Sequence, residues 1–169
     1  RSEDGEGNIT KYNYDAAGYL EFTETRGKTG VLSRRDNYRE GNARDDQLAE
    51  QIFYSDDPAS DNPLAVIPAS RKLFSYSAGG ERTGSETFVG DTKVSKEIFN
   101  AAGQPETMIE FDAKTGPHRT DFQYDKGIPQ KTLRRNGEAV DGALETMQTY
   151  KYGKPDLAFY FDADQKVAA

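Results

Sequence analysis

The chain has 169 residues, a length that suits one domain or one short repeat array. Its net charge of -7 disfavours a general attraction to nucleic acid or to an anionic membrane surface, so we predict no nucleic-acid partner. The absence of cysteine excludes disulfides, thiolate metal sites and cysteine nucleophiles. No segment approaches the roughly 20 apolar residues that a membrane-spanning helix needs, and we expect no membrane insertion.

The apolar residues are few but large. Only 34% of the chain is hydrophobic and the mean hydropathy is -0.89, yet ten residues are Tyr and nine are Phe. Each aromatic side chain can bury a large area. We therefore predict a thin, highly solvated fold that is held together by a few large anchors.

The amino terminus is polar and has no apolar signal core. Residues 1 to 8, RSEDGEGN, predict a flexible segment. Because Arg1 is an unusual first residue for a natural chain, we expect that a leader has been removed.

A short motif recurs along the chain, and it predicts β-hairpins. An aromatic residue is followed by Asp, Asn or Ser and then by small or polar residues that end in Gly, at residues 14–18, 76–80, 99–103, 111–116 and 124–127, with a glycine-free version at 161–164. The repeating unit is about 25 residues long. Asp and Asn accept bonds from turn N–H groups and Gly supplies a positive φ, so the motif is a turn. Between turns the residues alternate, which is typical of strands, and we expect one aromatic and one charged face.

The predicted fold class is all-β. We expect an antiparallel meander of hairpin repeats of about 25 residues, with strands of about 6 residues, forming an open curved sheet or half-barrel. One β-repeat domain would cover residues 1–169. Residues 55 to 70 contain three prolines and predict a long loop insertion. Asn42 could cap a short helix in residues 42 to 54, but Glu50–Phe53 matches other repeats and favours a strand.

Two parts of the sequence resemble known bacterial repeat families. Residues 12 to 30, YNYDAAGYLEFTETRGKTG, resemble the YD repeats of Rhs-like toxin-wrapping proteins. The residues at the positions of the repeat motif are Tyr12, Tyr14, Asp15, Gly18 and Leu20. Residues 99–104 and 124–129 are similar to the hairpin repeats of MORN-like and YwqK-type antitoxin proteins. The resemblance implies a bacterial protein that is exported to the periplasm or cell envelope, with its signal removed, and a binding or shielding role. A cytoplasmic location is the alternative.

No motif in the sequence predicts catalysis, a metal or a cofactor. His118 lies in the turn TGPHR and is expected to be an ordinary exposed histidine, and Ser85 lacks the nucleophile-elbow pattern. The acids Asp56, Asp57 and Asp61 are interrupted by prolines and lack the order of a calcium loop. Phosphate-binding glycine loops are also absent. We therefore name no catalytic residue, no metal ligand and no cofactor.

The candidate binding residues are tyrosines and paired arginines. Tyr12, Tyr14 and Tyr124 belong to an aromatic stripe that also contains Tyr76, Tyr152 and Tyr160, and we favour this stripe as the core over a stacking platform for sugars or bases. The pairs Arg34-Arg35 and Arg134-Arg135 could bind a partner's carboxylates or a phosphate. Since adjacent strand residues point to opposite faces, each pair offers one arginine per face.

The sequence therefore predicts a non-catalytic bacterial repeat module that binds a protein partner. Its most concrete version is an immunity or antitoxin-like protein whose partner is a toxin. The alternatives are an envelope-associated structural or carbohydrate-binding module, with three or more tyrosines exposed along one groove, and a hydrolase with paired carboxylates in a deep pocket. The oligomeric state is left open.

Overall fold

The computed structural model describes residues 1–39 and 47–168. In these residues it contains thirteen strands and no helix, and the strand order of the sheet follows the chain from β1 to β13. The strands are β1 Ser2–Glu3, β2 Ile9–Tyr14, β3 Leu20–Arg26, β4 Leu32–Tyr38, β5 Leu48–Asp56, β6 Val66–Tyr76, β7 Arg82–Val89, β8 Thr92–Phe99, β9 Pro105–Asp112, β10 Gly116–Asp125, β11 Ile128–Asn136, β12 Leu144–Lys151 and β13 Lys154–Tyr160. The predicted all-β antiparallel meander is confirmed, and the sheet is open, with β1 and β13 as its edges. Within the described ranges there is no helix of the length and apolarity that a membrane span requires.

The predicted turn chemistry is confirmed. Asp4, Asp15, Asn100 and Asp162 each use the side-chain Oδ1 to accept bonds of 2.8–3.0 Å from the N–H groups two and four residues further on. In the glycine-free version of the motif, Gln165 takes the left-handed conformation itself, with φ of 61°. The recurring motif therefore closes hairpins through the backbone, as Asx turns do.

The structure defines the amino terminus and the predicted loop more closely. Residues 1 to 8 include β1, which pairs with β2, and a turn closed by Asp4, and the flexibility of this segment stays a prediction. The loop predicted for residues 55 to 70 is shorter and covers 57–65, because β5 extends to Asp56 and β6 begins at Val66. Pro68 fits into β6 because the register shifts beside it, between Phe53 and Tyr54, and such bulges tolerate proline.

Strand β5 confirms the strand predicted around Glu50–Phe53. The alternative helix that Asn42 would cap falls on residues outside the described ranges. Most strands have 7 to 11 residues and are longer than predicted.

The chain divides into two compact units. Unit 1 is Arg1–Ser75 with Thr87–Thr92, and unit 2 is Tyr76–Glu86 with Lys93–Ala169. In unit 1, β2 to β6 pair in sequence. In unit 2, β8 to β13 pair in the same manner. The single repeat domain over residues 1–169 stays a prediction.

The interior of the sheet is mainly polar. Among the described residues Ile109 is the one buried hydrophobic side chain, whereas Thr23, Asp36, Gln47, Ser85 and Thr107 are also buried. A sheet without a packed second layer covers its side chains only with their cross-strand neighbours. Long polar side chains serve this purpose as well as apolar ones, and the interior consists of hydrogen-bonded rows.

Candidate functional site

The strand register of unit 1 sorts its side chains into two faces, because residues paired across strands lie on the same face. We call one of them the front face, and it carries two rows that cross β2 to β6: Thr10, Thr25, Arg34, Phe53, Ser70 and Tyr12, Thr23, Asp36, Gln51, Lys72. The back face carries the rows Lys11, Glu24, Arg35, Ile52, Arg71 and Asn13, Phe22, Asn37, Glu50, Leu73. Aromatic and charged residues occur on both, so the prediction of one aromatic and one charged face is wrong. With both faces in water, neither has to be purely apolar.

The front face exposes aromatic side chains. Tyr12 is 42% exposed and Phe53 is 40% exposed, and Tyr14, two residues beyond Tyr12 on β2, is 58% exposed. In unit 2, Tyr152 and Tyr160 are exposed as well. The prediction that the tyrosine stripe forms the core is therefore wrong for these tyrosines, which are all exposed.

A buried carboxylate lies in the middle of the front face. Asp36 is 5% exposed, and its Oδ1 accepts a hydrogen bond of 2.8 Å from Gln51 Nε2. Thr23 Oγ1 lies 3.4 Å from Asp36 Oδ2, and the nearby Tyr38 has a pKa raised by its own burial and then by the negative charge of Asp36. Polar groups on both neighbouring strands thus hold Asp36 in place.

Arg34 is a half-exposed basic residue of this face. Its Nε lies 3.1 Å from Asp36 Oδ2 but lacks hydrogen-bond geometry, so the two residues form an ion pair only. The Arg34 side chain is 42% exposed, and within the described part of the chain its guanidinium donates no hydrogen bond. Phe53 is its direct cross-strand neighbour. An exposed arginine beside an exposed aromatic ring is a composition typical of binding hot spots.

The second arginine of this pair is used internally. Arg35 lies on the back face, where its guanidinium is 3.8 Å from the centre of the Phe22 ring and its Nε donates to Asn37 Oδ1 at 2.9 Å. The prediction that each arginine pair sends one residue to each face is confirmed at this position. A groove of about 310 Å³ surrounds Arg35, and its lining includes the tyrosines Tyr19 and Tyr38. Two tyrosines are fewer than the three exposed tyrosines along one groove that the carbohydrate-binding alternative requires.

In unit 2 the predicted binding residues have internal partners. Arg134 contacts two carboxylates, with NH1 at 2.6 Å from Glu110 and Nε at 3.4 Å from Glu145. Arg135 NH1 donates to the backbone carbonyl oxygen of Gly142 at 3.4 Å. Tyr124 donates its hydroxyl to the carbonyl oxygen of Pro105 at 2.9 Å. These three residues brace neighbouring strands and are less available than Arg34.

The sequence did not predict that both ring nitrogens of His118 have side-chain partners. It lies in β10, its side chain is 11% exposed, and both of its ring nitrogens have partners, so the expectation of an exposed turn histidine is wrong. Nε2 lies 2.8 Å from Thr115 Oγ1 and Nδ1 lies 2.9 Å from Glu145 Oε2. The reason is tertiary, since β12 brings Glu145 to the histidine from 27 positions further along the chain.

The Thr115, His118 and Glu145 side chains have the order of a nucleophile, a base and an orienting carboxylate. An acyl-transfer site also needs N–H donors that are aimed at the developing oxyanion. Beside Thr115, the N–H groups of Lys114 and Thr115 both donate to Asp112 Oδ1, at 2.7 and 2.8 Å. These bonds lower the pKa of Asp112, first through the Thr115 and Lys114 amides. The two N–H groups beside Thr115 are therefore used by Asp112 within the turn. The cluster of Thr115, His118 and Glu145 connects the β9–β10 turn to β12.

The comparisons with known proteins place the chain in no family. No family model matches it, and no curated protein matches it. Among solved structures it is similar to TarM at 12% identity and a TM-score of 0.33, over 74% of this chain and 19% of that one. A mutant of TarM from S. aureus, in complex with fondaparinux, α-GlcNAc-glycerol and UDP, gives 12% identity and a TM-score of 0.28 over 89% and 21%. The chain thus spans about a fifth of these proteins, and at such TM-scores the likeness carries no argument about fold or function.

Proposed function

We propose that the chain is a non-catalytic binding module that holds a protein partner on the front face of unit 1. The observation that carries this proposal is that Phe53 is exposed directly beside an arginine, Arg34, that donates no hydrogen bond within the described chain, and that Tyr12 and Tyr14 are exposed on β2. Tyr and Arg are the residues that most often dominate the energy of protein interfaces. A rigid sheet also presents them at little entropic cost, because neighbouring strands fix their backbones.

A pull-down with matched variants tests this proposal. The bait is the tagged chain, and the comparison is a double variant, Tyr12→Ala with Phe53→Ala, which removes the two exposed rings of the front rows. The control is Tyr152→Asn in unit 2, where the tyrosine is 90% exposed and lies at φ of 54°, which Asn tolerates. We expect one protein to be retained in stoichiometric amount by the wild type and the control. The double variant should bind it at least about thirtyfold more weakly, because a hot spot contributes about 2 kcal/mol or more.

Equal retention by the double variant would reject the front face as the binding surface. The identity of the retained protein tests the narrower proposal of an immunity or antitoxin-like role, which the resemblance to toxin-associated repeats supports. A toxin would agree with it. If a neighbouring gene encodes a toxin, failure to capture that toxin would remove this version. Retention of polysaccharide alone would favour the envelope module.

A hydrolytic role is the second candidate, and one observation favours it. The Thr115 hydroxyl, His118 and Glu145 are connected by contacts of 2.8 and 2.9 Å. The test is hydrolysis of an activated acetate ester by the wild type and by a His118→Ala variant. Turnover that disappears in the variant would support the hydrolase, and equal rates for both proteins would reject it.

A further inference from the structure

Both units contain the same small arrangement of threonine, aspartate and arginine. In unit 1, Thr23 pairs across strands with Asp36, and Arg34 lies two residues before the aspartate. In unit 2, Thr107 pairs with Asp121, and Arg119 lies two residues before it. Asp36 is 5% exposed and the Asp121 side chain is 17% exposed. Each arginine lies on the same face of the sheet as its aspartate, because the two are two residues apart on one strand. The two arginines can therefore be compared as equivalent positions.

In unit 2, each of the three guanidinium nitrogens of Arg119 donates a hydrogen bond. Arg119 Nε donates to Asp121 Oδ1 at 2.8 Å and NH2 donates to Thr107 Oγ1 at 3.2 Å. NH1 donates to the backbone carbonyl oxygen of Glu138 at 3.2 Å. Its side chain is 21% exposed. The unit thus supplies oxygen acceptors to every nitrogen of this guanidinium.

The arginine of unit 1 lacks these acceptors. Among the described residues Arg34 has an ion pair with Asp36 but no hydrogen bond, its Nε is buried without a hydrogen-bond partner, and its side chain is twice as exposed as that of Arg119, at 42% against 21%. The hydroxyl equivalent to that of Thr107, on Thr23, donates to Asp36 instead, and no described carbonyl oxygen takes the place of Glu138. The guanidinium fork of Arg34 therefore has no acceptor in the described chain, and Phe53 is its cross-strand neighbour.

The charge around this fork favours a negative ligand. The two front rows contain two basic residues, Arg34 and Lys72, and one acidic residue, the buried Asp36. The two rows thus carry one more basic than acidic residue, although the whole chain has a net charge of -7. A guanidinium fork matches the two oxygens of a carboxylate, and such bidentate bonds are stronger than neutral ones.

We infer that Arg34 binds a carboxylate, supplied by an acidic segment of the partner that lies across the front face. This inference rests on the proposed function and specifies the chemistry of the partner. Tyr12 and Phe53 would contact the apolar part of that segment, while Arg34 fixes its position through the carboxylate. The oxygens of the ligand would take the places that Glu138 and Thr107 oxygens occupy around Arg119.

The experiment uses the full chain and a small probe, so that it does not depend on finding the native partner. A blocked hexaglutamate peptide is titrated into labelled protein, and the Nε–Hε signal of Arg34 is followed by NMR. A blocked hexaglutamine peptide controls for charge, and inorganic phosphate tests the other oxyanion. Arg26→Gln is the control variant. This arginine has a similar exposure of 38% and lies at the end of β3, outside the cross-strand row that contains Arg34.

We expect the Arg34 signal to shift and saturate with hexaglutamate and to stay in place with hexaglutamine. Arg34→Gln should lower the affinity about ten- to hundredfold, as expected for hydrogen bonds to a charged group, and Arg26→Gln should leave it unchanged. Arg34→Lys should recover only part of the affinity, because an ammonium group has no fork. Dispersed amide spectra of each variant verify that it is folded.

Three results would overturn the inference. They are an unmoved Arg34 signal, full affinity in Arg34→Lys, and saturation by phosphate without any response to hexaglutamate. An unmoved signal together with loss of the partner in the Tyr12→Ala and Phe53→Ala double variant would reject the carboxylate site and leave the proposed function standing. A saturating signal together with equal capture by that double variant would reject the proposed function alone.

Discussion

Replacing Asp36 or Asp121 by alanine should destabilise the two units unequally. Asp121 Oδ1 accepts bonds of 3.0 Å from Thr107 and 2.8 Å from Arg119, and hydrogen bonds to charged groups contribute about 1.5–3 kcal/mol each. The Asp121 side chain is 17% exposed and that of Arg119 is 21% exposed, so water replaces these bonds only in part. We therefore expect Asp121→Ala to cost about 4 kcal/mol. The reason is that the Thr107 hydroxyl loses its acceptor and Arg119 loses one of its three acceptors.

The same change at Asp36 should cost less, about 2 kcal/mol. One of its bonds, from Gln51, has a good length of 2.8 Å, but the contact with Thr23 is 3.4 Å and exceeds the usual range for hydroxyl donors. The ion pair with the half-exposed Arg34 adds only about 0.2–1 kcal/mol. The difference between the two variants should therefore be about 2 kcal/mol, since both remove the same side chain.

Urea unfolding followed by tyrosine fluorescence measures the stability of each variant, because the chain has ten tyrosines and no tryptophan. Amide hydrogen exchange assigns each loss to β4 in unit 1 or β10 in unit 2. Asp164→Ala is the control, since this side chain is 78% exposed and should change stability by less than about 0.5 kcal/mol. Equal losses for Asp36→Ala and Asp121→Ala, or a larger loss at Asp36, would refute the ranking by hydrogen-bond geometry.

Substitutions at three further positions test the sheet interior. Ile109→Ala should cost about 2–5 kcal/mol and Ile109→Val about 0.5–1.5 kcal/mol by thermal unfolding, and equal values would show that this buried residue is loosely packed. Gly84→Ala should lose about 1–3 kcal/mol, because its Cβ would lie 2.8 Å from the carbonyl oxygen of Glu97, and unchanged stability would contradict that close approach. The raised pKa of Tyr38 stabilises the fold fully below the ordinary value of 10.0, and this contribution is lost as the pH rises through the folded-state pKa. Urea unfolding should therefore show a steeper alkaline loss for the wild type than for Tyr38→Phe, and identical pH profiles would refute this assignment.

Much of the candidate site was visible in the sequence. Tyr12, Tyr14 and Arg34 were named from the chain alone, because alternation in β2 and β4 decides which residues share a face. Phe53 and Asp36 were missed. Their place beside Arg34 depends on the register between β4 and β5, which local patterns do not contain.

The sequence by itself determined the hairpins and their order. Asp or Asn followed by a residue with positive φ closes a turn through bonds within a few residues, so Asp15, Asn100 and Asp162 act locally. Short turns then make consecutive strands antiparallel neighbours.

Only the tertiary structure decided which side chains are buried and which are available. The aromatic stripe suggested a core, but Tyr12 and Tyr160 are both exposed. Arg34 and Arg119 occur in the same local sequence pattern, yet only Arg119 receives acceptors, one of them from a turn 19 residues away. Burial and hydrogen-bond satisfaction depend on which strands become neighbours, and for this reason they cannot be derived from residue type and spacing alone.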